Sequence, residues 1–451
     1  MKLVDHSRPL WEITWQRFHG GNQYDMGEIV IPLSRGGYLI GGYSDSTDLL
    51  GSPDGNILLN YGMLDCYLTR LDQHGEMVWT RLFGGGSYDY ILSMQETSDQ
   101  GVIFTGFSYS RVIPKDPYHP QQGHLVNHGM ADVYIVKLDR DYKVEWSLLL
   151  GGSDLDFGRS ICQTQDGGYI VVGVSFSVDI PGAVNHGGFD VYVIRIAADG
   201  SLLWQTLLGG DCNDLANDIQ ETRDMYGQPD GYIIVGKSNS TNLRTPEQRS
   251  YLTHHGYYDA LIMKLDTHGV VEWQRLYGGS RPEELFCVYQ TSDNGYIAGG
   301  RSQSIDLPGA PHHGIGCEDG YIMKLSSSGN LQWHQQFGGT DSDGFYGMCP
   351  LSTGYIVAAG YTTSSDIIGA PPLHGSTDIY LLVITQNGSL CTQILLGGRK
   401  VDIATSVKET LDRGIIVSGV SNSDDLGGYH GGNADMYIIK LDPVDHPYGT
   451  M

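Results

Sequence analysis

The stretch WSLLLGGSDLD at residues 146–156 decides the fold, together with the three segments after it: SICQTQ (160–165), DGGYIVVGVSFSVDIPG (166–182) and NHGGFDVYVIRIAADG (185–200). A new tryptophan then restarts the phrase. Its opening, W-x-x-x-x-G-G, begins at Trp15, Trp79, Trp146, Trp204, Trp273 and Trp333, and a seventh copy without the Trp begins at Thr392. The intervals are 64, 67, 58, 69, 60 and 59 residues. A period of this length, with the same pieces in the same order, marks a repeat architecture.

Within a unit the segments are short and rich in β-branched and aromatic residues. Ile170–Ser175, Val191–Ile196 and Leu202–Leu208 have strand length and composition. Asp166-Gly167-Gly168 and Asp199-Gly200 are tight-turn signals. No ten-residue window of the repeat keeps a 3.6-residue period, so helices are not expected. Each unit reads as four antiparallel strands, and seven units predict an all-β, seven-bladed propeller. The last unit stops at Asp442-Pro443 without its fourth strand, while Leu10–Phe18 precedes the first GG. The N-terminal strand is therefore expected to complete the last blade and close the ring, which removes an exposed edge. This predicts one domain over residues 10–442, with tails at 1–9 and 443–451.

Composition narrows the function. Glycine supplies 63 of 451 residues, about twice the usual share, and seven blades of Gly-dependent turns account for it. The formal charge is −25, from 27 basic and 52 acidic side chains. Such a chain repels phosphate backbones, which excludes general nucleic-acid binding. No run of 18 apolar residues exists, so no membrane-spanning helix is expected. The first nine residues have no apolar core of a signal peptide. Seven scattered cysteines lack CxxC spacing, so neither a disulfide framework nor a zinc site is expected.

The units resemble a class of bacterial and archaeal propeller repeats found in secreted or surface proteins. The matching stretches are QTQDGGYIVVG (163–173), QTSDNGYIAGG (290–300) and DALIMKLDTHGVVEW (259–273). The resemblance implies a propeller and a secreted, surface or particle-associated setting, although this chain shows no signal peptide. It implies an interaction role only loosely, because propellers host many functions.

If the inner strand follows each GG, the long loops all open on one face, and three polar rows recur there. The first is a carboxylate four residues after the second Gly: Asp25, Asp89, Asp156, Asp214, Glu283, Asp343 and Asp402. At the heads of the innermost strands these would ring the channel mouth. They either attract a cation or accept backbone N–H groups of their own loops. The second row is G-x-[S/T]-x-S-x-[D/N], clearest at Ser175, Ser177 and Asp179, at Ser302, Ser304 and Asp306, and at Ser421, Ser423 and Asp425. Alternate positions of a strand share a side, so these oxygens suit calcium, or hydroxyls bonding the next loop. The third is H-G-x-x-D at His128, His186, His255 and His374, with stretched versions at His313 and His430. The aspartate that ends this motif is expected to anchor a turn, as in WD-repeat propellers, while the histidine either contacts a ligand or bonds its own loop.

Two loops break the repeat. Arg111–Asn127 in unit two carries Lys115 and Tyr118, and residues 242–253 in unit four carry Arg244 and Tyr251. Basic and aromatic residues in an acidic chain mark a candidate recognition patch. No G-x-S-x-G, HExxH or P-loop motif is present. The sequence thus points to a non-enzymatic binding module facing a protein or glycan partner, with no required cofactor and calcium as the candidate ion. The alternatives are a multivalent lectin with one site per blade, or a polysaccharide hydrolase or lyase at the channel mouth.

Overall fold

A computed structural model describes residues 11–243, 251–309, 317–429 and 431–444. It contains seven four-stranded antiparallel sheets and, among the described residues, no α-helix. Blade one comprises Asp25–Pro32, Tyr38–Ser44, Asp65–Leu71 and Met77–Phe83, from the inner to the outer strand. Blade three comprises Asp156–Gln163, Tyr169–Ser175, Asp190–Ile196 and Leu202–Leu208. Each inner strand contacts the inner strands of both neighbouring blades, and this contact runs around the whole ring. The protein is a seven-bladed β-propeller. Its closure is the one read from the chain ends: Trp11–His19 pairs antiparallel with Asp435–Pro443, with Trp11 opposite Pro443 and His19 opposite Met436.

Burial explains the sequence pattern. A second strand lies between an inner and a third strand, with blades on both of its faces. Tyr169–Ser175 is buried at every position, so its apolar run is continuous rather than alternating. Ile170 and Val172 pack with Val191, Val193, Ile219, Ile234 and Leu261 across the blade three–blade four contact. Each such side chain stabilises the ring by about 1.5–3 kcal/mol.

The repeated glycines and tryptophans hold blades together. Gly173 faces a bulge in the inner strand between Gly158 and Ser160. A Cβ there would sit 1.8 Å from the Phe157 carbonyl oxygen, so only glycine lets the two strands approach. Gly200 turns the last hairpin of blade three at φ 86°, and the indole of Trp146, from blade two, lies flat against it, 2.8 Å from where a Cβ would stand. Blade two departs from this rule: Tyr142 holds the turn at φ 62°, and Trp79 meets its ring edge-on at 5.0 Å.

The hairpin face of the ring is committed to structure. In five blades the basic residue of the third strand reaches the turn aspartate of its own blade, as in Arg195–Asp166 at 2.6 Å, Lys137–Asp99 at 2.9 Å and Lys324–Asp293 at 3.0 Å. On the opposite, loop-rich face, backbone bonds stitch blade to blade. The Asp156 N–H donates to the Ala131 carbonyl at 2.8 Å, and the Asp402 N–H to that of Thr377 at 2.9 Å.

Candidate functional site

The two recurring acidic rows, separate in sequence, meet at every blade junction. Asp156 heads an inner strand, Asp132 heads the third strand of the preceding blade, and their carboxyls flank Gly151, at 2.6 and 2.7 Å from where its Cβ would lie. Asp190 and Asp214 flank Gly209 in the same way, and Asp259 and Glu283 flank Gly278. The inner-row residues Asp25, Asp89, Asp156, Asp214, Glu283, Asp343 and Asp402 are all fully buried. They stand at the heads of the inner strands but offer no open charge to the channel. Asp156 Oδ2 accepts the Gly152 N–H and the Ser177 hydroxyl, both at 2.8 Å. Burial pushes the Asp156 and Asp343 carboxyls up to about 6 and that of Glu283 up to about 7.

The hydroxyl row is not a strand feature. The strand ends at Ser175, and Ser177 and Asp179 belong to the turn beyond it. There the oxygens take different partners. The Ser175 hydroxyl accepts the Ser177 N–H at 3.1 Å, Ser177 also receives the Asp154 N–H at 3.0 Å, and Asp179 Oδ1 accepts the Ser153 N–H at 2.8 Å. Ser421 and Ser423 with Asp425, and Asp306 with Ser280, repeat these bonds. In blade five, Ser302 donates to Glu283 at 2.8 Å and Ser304 to the Arg281 carbonyl at 3.1 Å. Among the described residues no three carboxylate, histidine or cysteine groups gather as metal ligands.

Four of the histidines sit against the third-strand aspartates of their junctions. Nδ1 of His128 and of His374 donates to the aspartate four residues on at 2.6 and 2.7 Å, while His186 and His255 do so at 3.3 and 3.2 Å. Each ring keeps its other edge open, with 41–56% of the side chain exposed. His313, His430 and Arg244 lie outside the described residues. Tyr118 is 41% exposed; its hydroxyl donates to the Leu82 carbonyl at 3.3 Å, and its ring packs edge-on against Phe83 at 6.0 Å. Lys115 remains exposed beside a small extra hairpin, Val112–Pro114 with His124–Val126. Tyr251 is 53% exposed.

The loop face also carries most of the large apolar side chains exposed among the described residues. They concentrate on blades one to three, where Leu59 is 78% exposed, Val178 76% and Val184 69%; Met63, Val126 and Met130 are exposed there too, as are the rings of Tyr61 and Phe176. The exposed acids Asp179, Asp211, Asp306 and Asp366 lie on the same face. Backbone and hydroxyl donors hold them below the ordinary carboxylate range.

The strongest departure from seven-fold repetition is in the axial channel. A cavity of about 740 Å³ lies between the inner strands. Every inner strand bulges at the same step. The residue at that step differs in each blade: Glu28, Leu92, Arg159, Asn217, Phe286, Tyr346 and Thr405. Ion pairs stand beside the channel wall, where Asn217 donates to Glu284. Glu284 holds Lys237 and Arg301, each at 3.1 Å, and Arg301 also holds Glu318 at 3.1 Å. Asp218 accepts the Ser160 hydroxyl at 2.7 Å and the Val288 N–H at 2.9 Å. Lys408 reaches past blade six to donate to the Tyr289 hydroxyl at 3.1 Å. Glu28 and Arg159 are different. Burial pushes the Glu28 carboxyl up to about 7 and lowers the Arg159 guanidinium, and each feels the other's charge. Neither belongs to a repeated motif, so no sequence pattern singles them out.

No family model matches the chain, and no curated protein matches it. Among solved structures it is similar to the WD40 β-propeller domain of Doa1, at 12% identity and a TM-score of 0.50, over 96% of both chains. Sqt1 from Chaetomium thermophilum aligns over 96% of this chain and 100% of its own, at 10% identity and a TM-score of 0.46. The Doa1 likeness places this chain among the β-propellers by fold alone.

Proposed function

We propose that the protein is a binding module whose loop-rich face docks a protein partner. The exposed aliphatic side chains of blades one to three carry this reading. Leu59, Val178 and Val184 gain from burial against another protein's side chains. The acids around the patch favour a partner segment with basic residues beside an apolar anchor. A hydrolase or lyase at the mouth needs accessible carboxylates, and the inner-row carboxyls are buried and hydrogen-bonded. The resemblance of the repeats to those of secreted and surface propellers supports an extracellular or particle-associated setting.

The test is affinity capture from the native source with the wild-type protein and with a Leu59→Asp, Val178→Asp, Val184→Asp variant, identified by mass spectrometry. A partner captured by the wild type and lost from the variant, at unchanged melting temperature, is the expected result. A variant that retains every wild-type partner overturns the reading, and so does a glycan array in which this same face binds sugars and no protein is captured.

A further inference from the structure

The channel holds two opposite charges that the protein leaves apart. The Arg159 guanidinium makes no hydrogen bond or ion pair among the described residues, and its Nε is buried without a partner. The half-buried Glu28 carboxylate likewise has none, and Arg159 acts on it only at a distance. One blade separates them, and that blade places Leu92 between the two at the same height. The other charges lining the cavity have hydrogen-bond partners: Lys408 donates to the Tyr289 hydroxyl, and Asp218 accepts from the Ser160 hydroxyl and the Val288 N–H. Leaving a desolvated charge without a partner is costly, and a direct Glu28–Arg159 bridge would offset that cost. The structure keeps them separate around an open volume instead.

Across the cavity, blades five and six supply an aromatic wall. Phe286 and Tyr346 meet edge-to-face with centroids 5.0 Å apart. Apolar side chains, Met26, Ile29 and Met348 among them, line the remainder. The volume of about 740 Å³ falls within the range of small-molecule sites, about 300–1,000 Å³.

We propose that the axial channel binds a small zwitterion, an α-amino acid with an aromatic or long apolar side chain. Its carboxylate accepts two parallel N–H bonds from Arg159. Its ammonium group donates to Glu28. Its side chain lies against Phe286 and Tyr346. This site goes beyond the protein-docking reading and does not depend on it, since it uses the channel and not the outer loops.

The experiment is isothermal titration calorimetry with the full chain at pH 7 and a panel of free amino acids. Each binder is compared with its N-acetyl derivative, which lacks the ammonium, and its amide, which lacks the carboxylate. We expect a free aromatic or long apolar amino acid to bind, and each derivative to bind at least about tenfold weaker, a loss of about 1.4 kcal/mol. Arg159→Met abolishes binding, and Glu28→Gln weakens the free amino acid without weakening its N-acetyl form. An N-acetyl derivative that binds the wild type as tightly as the free amino acid overturns the proposal, as does a panel with no binder. Unchanged affinity in both variants overturns it as well. The derivative series uses the wild type alone, so it decides the matter even if a variant fails to fold.

Discussion

Replacing Asp156 by asparagine tests the physical account of the blade junctions. The carboxyl is fully buried, accepts two hydrogen bonds at 2.8 Å, and stands across Gly151 from Asp132. Burial, opposed in part by those bonds, raises it from 3.8 to about 6. The folded protein therefore holds this proton more tightly than the unfolded chain does. The resulting stabilisation is complete below pH 3.8 and is lost as pH rises through about 6. A rise of that size corresponds to about 3 kcal/mol. Asparagine keeps an acceptor for the Gly152 N–H and the Ser177 hydroxyl but cannot ionise. The variant should gain on the wild type between pH 4 and pH 8 by about 3 kcal/mol, seen as a relative rise in melting temperature of a few degrees. Thermal melts of both proteins across that range are the assay. A difference that stays flat with pH refutes the reasoning. If calcium instead raises the wild-type midpoint, EDTA removes the gain and the variant shows neither effect, the junction oxygens hold a cation and the protonation account fails.

Gly173→Ala should fail to fold or lose more than about 3 kcal/mol, because its methyl meets the Phe157 carbonyl at 1.8 Å; a melting temperature within a degree or two of wild type would contradict the close approach. Removing residues 1–19 strips the outer strand from blade seven and exposes the Asp435–Pro443 edge. Light scattering should then show self-association, which an added peptide of residues 11–19 reverses. In the native state Cys66 and Cys287, buried and with thiols pushed well up by desolvation, should resist a thiol reagent that modifies the exposed Cys317 at once; rapid loss of all seven thiols would contradict the packing.

The fold was legible because its determinants are local and repeated. The turn glycines, the strand-length apolar runs and the outer-strand tryptophans recur on a fixed schedule, and the missing fourth strand of the last unit pointed to the N-terminus. The site was less legible for two physical reasons. Asp132 and Asp156 read as two independent rows because the contact that unites them lies across a blade boundary. Ser177 and Asp179 read as a strand face because the alternation of the sequence continues four residues beyond Ser175, where the strand ends. Tyr118 is exposed, and its hydroxyl also bonds the outer strand of blade one, a contact that no local pattern announces. Glu28 and Arg159 carry no motif, and their importance rests on what fails to touch them.

The inner-strand bulge, present at the same step in all seven blades, divides the chain's labour. Residues in regular register must satisfy the ladder and the neighbouring blade, and the carboxylate that heads each inner strand recurs in all seven. The bulged residue leaves the ladder and turns to the axis. Its side chain is thereby free of the ladder's demands, and the seven blades present glutamate, leucine, arginine, asparagine, phenylalanine, tyrosine and threonine there. The ring works as a seven-slot holder whose contents can be exchanged one at a time, so the same propeller can be re-addressed to a different small molecule without rebuilding a blade.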